Sequence, residues 1–175
     1  KNSIKNVIDI GAGIGGLGDA LNKNNDTSYY FIEVDEDSVE VLEKKFSSKN
    51  NLLKNNFDFK ESKCLTFLDV IEHVEFPDKF IKQHLENFDS SYVFITVPAY
   101  QALWSNWDIL LGHYKRYTRK NLINMTESIG LKTIEANYLF PELLIPAIFR
   151  KIVNSNNISF PKIPIFINNI FYFIS

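Results

Sequence analysis

The 175-residue chain contains a single cysteine, Cys64, so it can form no internal disulfide and carries no CxxC pair for zinc or redox chemistry. That pattern points to a reducing compartment and a cytoplasmic protein. An excess of positive charge is also missing: 19 basic residues, nearly all lysine, face 21 acidic ones, for a net charge of -2. No bulk field exists to hold a phosphate backbone, and nucleic acid is not expected as a partner. Long apolar runs are absent too. Val7–Ile10 is too short for the core of a secretory signal, and Phe160–Ser175 is broken by Pro161-Lys162 and Asn168-Asn169, short of the roughly 20 residues a membrane span needs. What remains is ample material for one folded domain, with 45% of residues hydrophobic and 23% charged.

The chain alternates short apolar runs with amphipathic stretches. Val7–Ile10, Tyr29–Val34, Cys64–Leu68 and Tyr92–Val97 read as buried strands, and Leu52–Phe57 as a further short one. Between them, helical spacing starts at Leu17, runs from Asp37 to Phe46 and opens again at Pro77, whose helix carries Phe80, Ile81, His84, Leu85 and Phe88 on one face. Thr118 caps a last helix that ends at Gly130, and Leu131–Leu139 reads as a returning strand. This rhythm predicts a doubly wound α/β sheet, with ligands beyond the carboxyl ends of its strands.

The most informative stretch is Asp9-Ile-Gly11-Ala-Gly13-Ile-Gly15-Gly16, where a strand hands over to a helix. Glycines there allow a tight turn and let a ligand lie against bare backbone. Asp35 stands at the end of the second strand, where a carboxylate can accept both hydroxyls of a ribose. An adenosine-type ligand is therefore expected. Asp9 argues for a cationic one, S-adenosylmethionine, over an anionic dinucleotide, because a carboxylate at this loop repels pyrophosphate. Its alternative task is to anchor the loop's amides. No GKS or GKT follows the glycines, which excludes a P-loop.

These residues, together with Asp69-Val-Ile-Glu72-His73-Val74, resemble the successive motifs of class I S-adenosylmethionine-dependent methyltransferases. The later Val97-Pro98-Ala99-Tyr100, Leu103-Trp104-Ser105, Asp108 and Gly112–Thr118 are similar to a bacterial branch often found with cell-surface glycan and lipid genes. The resemblance implies a Rossmann-like sheet of strand order 3-2-1-4-5-7-6, S-adenosyl-L-methionine as cofactor, and a small-molecule or lipid-linked acceptor. It departs from the family in showing neither the helix before the first strand nor the last antiparallel strand, as a fragment would. Residues 1–153 are expected to form the methyltransferase domain and 154–175 an incomplete apolar extension.

By family position, Asp58 and Phe59 flank the adenine, and Asp69 lies on the cofactor side or caps a helix. His73 and His113 are the candidate bases for an acceptor hydroxyl, His73 having a local hydrogen bond as its alternative role. Trp104, Tyr114 and Arg116 belong to an aromatic and basic segment that can close over an acceptor, with Arg116 either pairing an anionic group or sitting in an internal ion pair. His84 reads as core. No metal is expected, since the three histidines lack ligand spacing and carboxylate company. The apolar C-terminal third, beside Arg150, Lys151 and Lys162, suits peripheral contact with the inner membrane face, a dimer interface, or packing against a terminal strand. The rival functions are a NAD-dependent oxidoreductase and a nucleotide-binding module without catalysis.

Overall fold

A computed structural model describes residues 4–21, 27–46, 63–88, 90, 92–139, 141, 145 and 148. Four parallel strands, β1 (Asn6–Ile10), β2 (Ser28–Ile32), β3 (Lys63–Leu68) and β4 (Tyr92–Thr96), lie in the order β2-β1-β3-β4. This is the 2-1-4-5 portion of the expected order. Every residue of β1 is buried, as befits a strand paired on both edges. The expected strand at Leu52–Phe57, like Asp58, Phe59 and the extension 154–175, lies outside the described residues.

Alternation along the strands divides the core. Ile8, Ile10, Leu65 and Phe67 point to one face, where they meet Ile71, Ile81 and Tyr117. Val7, Tyr29, Phe31 and Cys64 point to the other, against Leu42 and Phe46. Helix α1 (Gly16–Leu21) approaches this second cluster through Gly18, where a Cβ would lie 2.5 Å from both Phe46 and Tyr29. Helix α2 (Glu36–Phe46) opens on an Asp35 carboxylate that accepts the Ser38 amide at 2.9 Å, and it carries acids in its first turn and lysines in its last.

On the first face lies α3 (Pro77–Phe88), with Pro77 in the first turn as expected. His84 meets the Phe67 ring edge-on at 5.8 Å, in accord with a core role. Beyond β4 the chain forms α4 (Asn106–Leu110), closed by a Ser105 and Asp108 capping box, and α5 (Arg119–Ser128), capped by Thr118. The expected strand over Leu131–Leu139 is not formed. Leu131 still packs against the core, but the positions beyond it turn away: Ile134 is 80% exposed, and Tyr138 stacks on Tyr100 at 5.0 Å.

Candidate active site

Two structures meet at the carboxyl edge of the sheet. The first is the loop after β1. Gly11 and Gly13 take φ values of 70° and 53°, a region costly to residues with a Cβ. Gly11 abuts the segment after β3, where an added Cβ would lie 2.7 Å from Val70. In front of Gly13 there is open space, with nothing within 4 Å of the position a Cβ would take. This open space beside bare backbone leaves room that any side chain would fill.

Gly15 has a different task from the one its motif position implies. Its absent Cβ faces inward, 2.7 Å from Leu42 and 2.8 Å from Phe46, and its amide is spent on the Ala12 carbonyl. It is a packing glycine. Asp9 is likewise turned away from the ligand side, 2% exposed on the α2 face of β1. Its carboxylate accepts the Thr66 hydroxyl at 2.6 Å and the Tyr29 hydroxyl at 2.9 Å. It thus joins β1 to both neighbouring strands through side-chain hydroxyls, where the sequence reading offers loop amides as alternative partners. Burial raises its carboxyl above the usual value, against the lowering by these two hydrogen bonds.

The acid that touches the loop is Glu33, which the motif reading overlooked. One carboxylate oxygen accepts the Gly13 amide at 2.7 Å, and the other accepts those of Val34 and Asp35. Asp35 stands exposed beside it, with its carboxyl held below the usual range by Ser38. The signal in the sequence is the pair of acids at Glu33 and Asp35, two positions apart at a strand end, of which the fold turns one onto the loop.

The second structure is built from side chains. After β3, Asp69 adopts φ 52°, and its amide donates to the Thr96 hydroxyl and carbonyl at the end of β4. It does not cap the short 3-10 turn that follows at Ile71–His73. That turn buries Glu72 to 1% exposure and leaves His73 open on the surface side. Tyr114 donates its amide to the Glu72 carbonyl at 2.7 Å, which fastens the aromatic segment onto the turn. His113 thereby meets His73 edge-to-face, with ring centroids 4.6 Å apart.

Behind His113 lies Asp108, fully buried. One of its oxygens bonds His113 Nδ1 at 3.0 Å, and both are held by Arg116, at 2.7 and 3.1 Å. Arg116 Nη1 also donates to the Ala99 carbonyl. The guanidinium is therefore not offered to an acceptor, and of its two readings the internal ion pair is the one formed. Burial alone would raise the Asp108 carboxyl; the Arg116 and His113 hydrogen bonds more than offset this and hold it below the usual range. Trp104 is half-buried and Tyr114 is 57% exposed on the same segment.

Glu72 is the odd member. Its carboxylate atom Oε2 is buried without a hydrogen-bond partner, and burial, helped by the charge of Asp69, pushes its carboxyl up to about 7. His73 moves the other way, lowered first by burial and then by the neighbouring His113. The expectation that the histidines lack carboxylate company fails here. Sequence distance hid the arrangement: 40 positions separate His73 from His113, and only the fold closes them.

Residues 1–136 match the family described as a methyltransferase domain. The chain belongs to that family. With it come the class I S-adenosylmethionine-dependent methyltransferases, whose parallel sheet and glycine loop the structure reproduces. No curated protein matches. Among solved structures, phosphoethanolamine N-methyltransferase 2 of Haemonchus contortus, in complex with S-adenosyl-L-methionine, superposes at TM-score 0.62 and 14% identity, over 93% of this chain. A SAM-dependent methyltransferase from Archaeoglobus fulgidus does so at 0.54 and 19%, over 91% of this chain and 82% of its own. A chain from the complex of the Haloferax volcanii Trm112 methyltransferase activator gives 0.60 and 10%, over 79% of this chain. This chain spans 66% of that last protein and 42% of the Haemonchus enzyme. S-adenosylmethionine is the cofactor of the class, and the open backbone position at Gly13 with acids at the end of β2 fits it.

Proposed function

We propose that this chain transfers the methyl group of S-adenosylmethionine to a hydroxyl of a small or lipid-linked acceptor. The observation that carries the reading is the meeting of His73 and His113 beside buried Glu72, on a segment packed against the glycine loop through Val70 and Gly11. Bound S-adenosylmethionine supplies a methyl group already activated on a sulfonium. The residues of the chain have to align the acceptor with it and exclude water.

In this reading Gly13 offers bare backbone beside Gly11, Asp35 holds the ribose while Glu33 fixes the loop, and Asp69 borders the cofactor. His73, neutral at pH 7 because its pKa is lowered, is able to take a proton from the acceptor hydroxyl. Asp108 fixes the tautomer of His113 by holding its Nδ1, which leaves Nε2 for the acceptor. Trp104 and Tyr114 cover the acceptor's apolar part in the same reading.

Calorimetric titration of the chain with S-adenosylhomocysteine and with NADH tests the cofactor half. Binding of the first and silence from the second is the expected result; the converse would favour an oxidoreductase. Transfer of labelled methyl to hydroxylated small molecules, to amines and to a lipid extract then tests the acceptor half, and label on amines alone would defeat it.

The lipid-linked branch draws on a separate observation. Ile134, Leu139 and Ile145 are 80%, 61% and 75% exposed. No described helix is long and apolar enough to cross a membrane, so peripheral contact is the form this reading takes. Flotation with anionic liposomes at low salt should carry the protein upward, and full recovery in the soluble fraction would leave a water-soluble acceptor.

A further inference from the structure

We infer that Glu72, His73 and His113 form a binding site for a divalent first-row transition cation. One ligand atom from each residue lies within 4.8 Å of the other two. Ligands at about 2.0 to 2.2 Å from a single ion stand at most about 4.4 Å apart, so small side-chain rotations close the set. Glu72 supplies an independent sign. It is 1% exposed, and its Oε2 has no hydrogen-bond partner. A buried carboxylate oxygen without a partner costs free energy unless something outside the chain's own donors satisfies it, and a cation does so.

The surroundings are those of a ligand shell. Metal-binding histidines commonly give their second ring nitrogen to a carboxylate, which fixes the tautomer and aims the other nitrogen at the ion. Asp108 does this for His113 at 3.0 Å, and is itself held by Arg116 and by the Ser105 amide. The backbone bond from Tyr114 to Glu72 joins the two ligand-bearing segments, so the geometry exists before any ion arrives. Two imidazoles and one carboxylate favour zinc, manganese, iron(II) or cobalt over magnesium and calcium, which prefer all-oxygen sets. Three protein ligands leave coordination positions open, and exposed His73 puts them on the solvent side.

The cation site stands without the functional reading; only the next step rests on that reading. If the acceptor hydroxyl docks beside His73 and His113 with the cation bound, both imidazoles serve as ligands in place of the base role given to His73. The hydroxyl oxygen binds the cation, and its proton, made more acidic by the cation's charge, leaves to solvent. The acceptor is then a compound able to place an oxygen on a metal.

The test is titration of chelator-stripped protein with manganese, zinc and cobalt salts, followed by calorimetry and by the visible absorption of cobalt. One equivalent should bind. His73→Ala, at an exposed position, should weaken binding at least tenfold, and Asp108→Asn should do so about 10- to 100-fold through His113. Far-UV spectra of the variants guard against misfolding, and Glu72→Gln offers a third route that preserves shape. Absence of one-equivalent binding, or equal affinity in wild type and all folded variants, overturns the site. S-adenosylhomocysteine is titrated in parallel. Its binding without a metal sinks the cation site and leaves methyl transfer standing, whereas metal binding without it keeps the site and sinks the functional reading.

Discussion

The glycine loop and the segment after β3 share one edge of the sheet but are made in opposite ways. The loop is a backbone structure: its ligand-facing surface is the open space before the Gly13 Cα, its amide is held by Glu33, and the nearby carboxylate of Asp9 is satisfied by Thr66 and Tyr29. The segment after β3 is a side-chain structure, where buried Glu72 is left with a free oxygen and His113 is backed by buried Asp108, fully engaged from α4 beyond β4. A backbone surface with open space before it can hold any ligand of the right shape. A converging set of imidazoles and carboxylates selects by chemistry. The loop is therefore the general half of the site and the histidine cluster its particular half.

The strongest way to break this contrast is to remove Asp108. Asp108→Ala leaves Arg116 and His113 buried without their partner and should destabilise the fold by about 3 to 5 kcal/mol in chemical denaturation. A loss under 1 kcal/mol would mean that the side-chain half is not held by this ion pair. Next, Gly15→Val should cost about 2 to 4 kcal/mol, because it combines a positive φ with collision against Leu42 and Phe46. Gly13→Ala, with open space before it, should cost only about 1 kcal/mol in stability yet impair S-adenosylhomocysteine binding. If the two variants behave alike, the division between packing and ligand-facing glycines is wrong.

A finer comparison separates the two acids after β2. Asp35→Ala should weaken S-adenosylhomocysteine binding roughly tenfold, as for a lost charge-assisted hydrogen bond. Glu33→Gln keeps an oxygen for the loop amides and should act less; a larger loss from Glu33→Gln would transfer the ribose role to Glu33. The smallest effect concerns Asp9. Its folded pKa is raised, so the native state holds this proton more firmly than the unfolded chain, and its contribution to stability falls as pH rises from about 4 through the raised value. Asp9→Asn should flatten that part of the stability profile, by about 1 kcal/mol or less at pH 7. An unchanged slope would show that Asp9 titrates as an ordinary carboxylate.

By itself, the sequence determined the parallel α/β sheet, because continuous apolar runs such as Val7–Ile10 can only be buried on both faces, and helical spacing at Asp37–Phe46 and after Pro77 then has to cover them. It also located the glycine loop, since backbone that must turn with positive φ demands glycine locally. Local signals could not say which way each loop residue points. Gly15 turned to the core, Asp9 to Thr66 and Tyr29, Arg116 to Asp108, and Glu33 to the loop. Leu131–Leu139 has strand composition, but Ile134 points to solvent and Tyr138 is taken by Tyr100. Only the tertiary structure decided that Glu72, His73 and His113 converge: their partnership depends on a chain return from β4 through Tyr114, and interactions between residues 40 apart leave no periodicity or spacing to read.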